Sequence, residues 1–145
     1  YGKLIRFPNN EAIFGKQQIY NEQDQVCGTE PNLLINATEI SFDGLWELVR
    51  SYGGVMFPAH VDKTANSLIA NLGFIPPDSR FRTAEVKDLK KLHQLQKDNP
   101  YLDKCRIISN SDAHYLEHMN EPELTLQVEE KTVQGIIDAL LDGAG

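Results

Sequence analysis

The feature that most limits how this chain can fold is an alternation: from residue 42 onward, short apolar runs trade places with amphipathic helices. Ser41 is placed to cap a helix from Phe42 to about Tyr52, with Leu45, Trp46, Leu48, Val49 and Tyr52 on its apolar face. Trp46 reads as a core anchor, and Gly53-Gly54 stops the helix. The run Val55–Ala59 follows, short and apolar throughout, as in a strand buried on both faces of a parallel sheet. His60 closes it. A helix capped near Asp62 or Thr64 turns Leu68, Ile69 and Leu72 inward and ends at Gly73, and Pro76-Pro77 form a loop. Thr83–Val86 is the next strand, and Asp88 caps a helix through about Lys97 with Leu89, Leu92 and Leu95 on one side. Arg106–Ile108 leads as a strand into a polar loop. Leu124, Leu126 and Val128 alternate with Thr125 and Gln127, the mark of a half-buried strand. Thr132 caps the last helix, whose apolar face is Val133, Ile136, Ile137, Leu140 and Leu141, and Gly143 ends it.

Such alternation argues for an α/β layer with parallel strands and right-handed crossovers. Part of a (βα) barrel is the leading architecture, with an open doubly wound sheet as the alternative. A full barrel takes about 250 residues, so 145 residues supply only part of one. Residues 1–38 carry no helical period. They read as an irregular lead-in with short strands and turns near Pro8–Asn10 and Asp24–Gly28. Residues 39–145 are the α/β region.

The net charge of −7 lacks a basic footprint, which argues against nucleic acid as a partner but leaves a nucleotide or other small phosphorylated substrate open. No apolar run approaches the ~20 residues of a membrane helix, and no leader peptide is visible, so a cytoplasmic protein without membrane contact is expected. The oligomeric state leaves no mark in the sequence. Cys27 and Cys105 lack metal-type spacing and read as reduced, partly buried thiols.

In α/β folds, reactive groups collect at the C-terminal ends of strands. His60 stands at one such end, and Asp112 and His114 stand just beyond another. In extended backbone, residues two apart point the same way, so Asp112 and His114 can aim at one point. A carboxylate with imidazoles suits zinc, manganese or iron. A catalytic zinc takes three protein ligands and a water, so these three residues fall short of a multinuclear site. Asp62 reads first as a helix cap. Glu85 lies inside a strand and can face either the barrel interior or the helix layer. Lys63 and His118 read as solvated side chains with a secondary role toward a substrate phosphate. His93 falls on the polar side of its helix. No Gly-rich phosphate loop is visible.

Two stretches carry a family resemblance. Phe57-Pro58-Ala59-His60-Val61-Asp62-Lys63 resembles the third motif of the PHP (polymerase and histidinol phosphatase) metallophosphoesterases, and Ser109-Asn110-Ser111-Asp112-Ala113-His114 is similar to their fourth. Asn66-Ser67-Leu68-Ile69 and Leu72-Gly73-Phe74-Ile75-Pro76 resemble one bacterial branch. The resemblance implies a distorted (βα) barrel, two or three divalent metal ions, metal ligation by His60, Asp112 and His114, Asp112 and His114 as catalytic groups, and hydrolysis of a phosphate ester. The family's first two motifs, with their His-x-His, are absent, and no histidine precedes His60. The resemblance therefore implies the C-terminal portion of a longer protein, inactive by itself. Two other functions stand beside it: a non-catalytic PHP-like structural module, and an amidohydrolase-type metal barrel acting on C–N bonds.

Overall fold

The computed structural model describes residues 2–122 and 124–143. The protein is mixed α/β and divides into two units, Tyr1–Phe42 and Asp43–Gly145.

In the first unit, helix α1 (Glu11–Phe14) precedes strands β1 (Gln18–Tyr20) and β2 (Val26–Thr29), which form an antiparallel hairpin. Asn21 makes the turn. Its Oδ1 accepts the N–H groups of Gln23 and Gln25 at 3.0 and 2.9 Å, and Asp24 adopts a left-handed φ of 57°. An Asx side chain that mimics a backbone turn in this way sets the turn itself. It therefore falls earlier than the expected 24–28, and Val26–Thr29 is strand instead. Gln17 then does what a longer ladder would do. Its Nε2 donates to the carbonyls of Glu30 and Asn32, and its Oε1 accepts from the Leu34 N–H.

The second unit contains α2 (Phe42–Ser51, its first residue at the unit boundary), α3 (Leu68–Leu72), β3 (Thr83–Glu85), α4 (Leu92–Asp98), β4 (Arg106–Ile108) and α5 (Val133–Asp142). Strands β3 and β4 are parallel, with Thr83 opposite Arg106, Ala84 opposite Ile107 and Glu85 opposite Ile108. Helix α4 lies in the connection between them, as a parallel pair requires. Asp88 accepts the Lys90 N–H and opens a short 3-10 turn that runs into α4. The core surrounds β3: Val61, Ile75, Phe81, Ala84, Val86, Tyr101, Leu102 and Cys105 are all buried. Phe81 and Tyr101 meet edge to face at 5.0 Å, a favoured aromatic geometry. The Tyr101 hydroxyl lies within reach of the carbonyls of Phe81 and Ser79. Helix α5 is tied to the sheet from two neighbouring positions: Thr83 Oγ1 donates to the Leu140 carbonyl at 2.6 Å and Arg106 Nε to the Ala139 carbonyl at 2.9 Å.

Several expectations need correction. Val55–Ala59 is not a regular strand. Glu85 N–H donates to the Pro58 carbonyl at 3.1 Å, and Val61 N–H donates to the Glu85 carbonyl at 2.8 Å. A regular parallel ladder would place one residue between these partners' positions; here Ala59 and His60 both intervene. The segment thus runs beside β3 with one extra residue, a bulge, and His60 takes a φ of 31° to accommodate it. Leu124–Val128 keeps Leu126 and Val128 half-buried, yet it joins no strand among the described residues. Alternation supplies an apolar side, but a strand also needs partners for its main-chain groups. The helix after His60 starts later than Asp62 or Thr64 predicted: Ser67 caps α3 by accepting the Ala70 N–H at 3.0 Å. Trp46 is only half-buried and lies 5.4 Å under the Arg80 guanidinium, a cation–π contact and not a core anchor. Leu72, Val133 and Ile136 are exposed. Cys27 is exposed, while Cys105 is buried, and burial raises the Cys105 pKa to about 11. Among the described residues the regular parallel sheet is β3–β4 alone and does not close into a barrel. No described helix is long and apolar enough to cross a membrane.

Candidate functional site

Three chain segments end at the same rim of the second unit. They are the bulged stretch that ends in His60, the residues after β3, and the loop after β4. Polar side chains lace them together. Asp62 Oδ1 and Oδ2 accept the main-chain N–H groups of Lys87 and Asp88 at 2.8 and 2.9 Å. Burial pushes the Asp62 pKa up, but these two N–H groups, together with its own main-chain N–H and the Lys91 charge, hold the carboxyl below its usual range. Asp62 therefore caps the start of the segment after β3, not its own helix. Ser109 Oγ donates to the Lys87 carbonyl at 3.4 Å.

Asp112 is the centre of the arrangement. Its Oδ2 accepts from Lys63 Nζ at 2.6 Å and lies 3.9 Å from Lys87 Nζ, and its Oδ1 lies 4.0 Å from His114 Nε2. The Asp112 pKa is lowered, first by the hydrogen bond from Lys63, with further charge effects from Lys63, His60 and Lys87. Lys63, Asp112 and His114, from two stretches some fifty residues apart, thus meet at one place, and Lys63 stands three residues after His60. Lys63 is not a solvated lysine: the pair joins two loops across a separation of 49 residues. His118 stands elsewhere in its loop, edge-on to the Tyr115 ring at 5.4 Å. His93 is exposed on α4, and the Glu85 side chain is buried.

Two further observations single out His60 and Asp112. His60 Nδ1 is buried with no hydrogen-bond partner among the described residues. Leaving a buried polar atom unpaired costs roughly 1–3 kcal/mol. Both residues also adopt positive φ, 31° and 51°. Such backbone costs a non-glycine residue about 1–3 kcal/mol and concentrates at functional sites. Among the described residues, two of the four positive-φ residues other than glycine are thus His60 and Asp112, two of the three metal-ligand candidates.

The donor chemistry fits a borderline divalent metal: an unpaired imidazole nitrogen, a carboxylate and a second imidazole. The geometry is incomplete. Among the described residues no group of three or more His, Cys, Asp or Glu side chains is arranged to hold an ion. His114 has a side chain 80% exposed, and the Lys63 ammonium engages Oδ2 of Asp112 while Oδ1 faces His114. Sequence reasoning missed Lys87. Its position directly past β3 obeys the strand-end rule that singled out His60, but a lysine carries no ligand signature.

No family model, curated protein or solved structure matches this chain.

Proposed function

We propose that this chain carries the third and fourth metal-ligand segments of a PHP-type phosphoesterase, built as the C-terminal part of a (βα) barrel. The supporting observation is the Lys63–Asp112 contact at 2.6 Å, which joins the loop following His60 to the loop that carries Asp112 and His114. His60, Asp112 and His114 would hold zinc, manganese or iron, in a complete site of two or three ions. A bound ion would lower the pKa of its water toward neutrality and clamp phosphoryl oxygens. Asp112 contributes the hard anionic ligand, and the two imidazoles bind as neutral donors. The substrate is a small phosphate ester, a phosphomonoester or nucleotide. With Lys63 neutralising Asp112, this chain alone takes up metal weakly and hydrolyses little.

The test is zinc titration of the chain by calorimetry, repeated on His60→Ala, Asp112→Asn and His114→Ala. Weak, saturable uptake that falls about tenfold or more in each variant is the expected result, since each removes one ligand. A wild-type chain that takes up no zinc, manganese or iron under any loading condition would sink the reading. One observation favours a second reading, a non-catalytic structural module: the Lys63–Asp112 pair at 2.6 Å already satisfies the carboxylate without metal.

A further inference from the structure

Next to the cluster lies a cleft of about 570 Å³ lined by the loop after His60 and the segment after β3. Its walls include Lys63, Thr64, Asn66, Lys87 and Lys91. Three lysines therefore line one open cavity, Lys63 from one loop and Lys87 and Lys91 from a segment more than twenty residues further on. A volume of this order holds a small organic ligand as well as one anionic group.

The carboxylates around the cleft are already engaged. Asp62 directs both oxygens at main-chain N–H groups. Asp88 accepts the Lys90 N–H at 3.2 Å and lies 3.7 Å from Lys91 Nζ. Asp112 offers a single oxygen to two lysines, Lys63 at 2.6 Å and Lys87 at 3.9 Å. Lys87 is thus the weaker partner of a shared acceptor, and its side chain is about half exposed and lines the cleft. Lys91 is held only at long range and on the surface. Two lysines carry only long-range ion pairs, and the polar residues Thr64 and Asn66 share the same cleft.

We infer that this cleft is an anion-binding subsite in which Lys87 and Lys91 hold a phosphate-like group of a ligand at a distance from the Asp112 cluster. The inference rests on the phosphoesterase reading in one respect: it assigns that enzyme a substrate with a second anionic group besides the scissile phosphate. The cleft itself needs no metal. Lysine is suited to the task as a mobile point charge with three donors.

The test is titration of the metal-free chain with pyrophosphate, followed by amide chemical shifts. Saturable shifts confined to residues 63–66 and 87–91 are expected, with affinity reduced about tenfold in Lys87→Gln and in Lys91→Gln, the loss of one charged hydrogen bond. Lys97→Gln, on the exposed side of α4, should bind as the wild type does. Shifts scattered over all surface lysines, or binding equal in all three variants, would overturn the assignment. Pyrophosphate binding without zinc uptake would leave the subsite standing and remove the hydrolase reading. Zinc uptake without pyrophosphate binding would do the reverse.

Discussion

At the scale of single residues, His60 carries contradictory demands. Its backbone is left-handed, its Nδ1 is buried and unpaired, and it stands where a bulge interrupts pairing with β3. If this strain serves ligation, removing it should separate stability from function. His60→Gly, which suits the positive φ, is expected to leave stability unchanged or raise it by about 1 kcal/mol, while zinc uptake is lost; denaturant unfolding and calorimetry on the same variant check both. Lys63 gives a second contrast. Lys63→Met removes the ammonium that competes for Asp112, so zinc should bind more tightly than to the wild type. Weaker binding would show that Lys63 assists the site. The acid side of the stability curve follows from Asp62 and Asp112. Both carboxyls titrate below their unfolded values, so their stabilisation is fully present above the unfolded pKa of about 4 and fades as pH falls through the lower folded values. The difference in unfolding free energy between wild type and Asp62→Asn should be largest near neutral pH and shrink below pH ~4. A difference that is flat with pH would mean that the lost N–H acceptor geometry matters and the charge does not.

At the scale of elements, the caps at Asp88 and Thr132 behaved as local chemistry demands, while the one sought at Asp62 or Thr64 fell to Ser67. Thr132 accepts the Gly135 N–H at 3.0 Å and starts α5, and Gly143 ends it at a φ of 82°. A Cβ at Gly143 would lie 2.8 Å from the Lys104 carbonyl oxygen, so the left-handed backbone and the close approach both require glycine there. Gly143→Ala is expected to destabilise by more than about 1 kcal/mol, and Thr132→Ala by about 1 kcal/mol; thermal unfolding of the two variants ranks them. Strands were harder to read than caps. β3 and β4 were legible because Thr83–Val86 and Arg106–Ile108 are short runs carrying β-branched residues between helical patterns and polar loops. Val55–Ala59 is more apolar than either, but a main-chain register with one extra residue broke its ladder, and register is not written in hydrophobicity. Trp46 left the core for a similar reason. Its neighbour Arg80 comes from a distant loop, and the cation–π contact exists only once α2 and that loop meet.

At the scale of the whole molecule, the two units differ in what holds them. The hairpin unit relies on side-chain to main-chain bonds from Asn21 and Gln17, whereas the α/β unit has an apolar centre around β3. Metal should therefore act on the second unit only. Zinc at about a hundredfold excess over its dissociation constant is expected to stabilise the folded state by about 2.7 kcal/mol, seen as a raised melting temperature in the wild type and not in Asp112→Asn. An equal shift in both would place zinc elsewhere on the chain. Residues legible as candidates were those with ligand chemistry at strand ends, His60, Asp112 and His114. Lys87 escaped notice because charge alone does not distinguish a rim lysine from a solvated one.

Neighbours along the chain were enough to reveal the Asp88 and Thr132 caps, the glycine stops, the parallel α/β pattern of β3 and β4, and the chemical types of the candidate ligands, but not the Ser67 cap or the Asn21 turn. Only the tertiary structure decided the rest. It chose Lys63 as the partner of Asp112, inserted His60 as an extra residue beside Glu85, and opened the lysine-lined cleft. Each of these joins groups separated by more than twenty residues, and such a meeting is selected by packing and main-chain register, which no local propensity encodes.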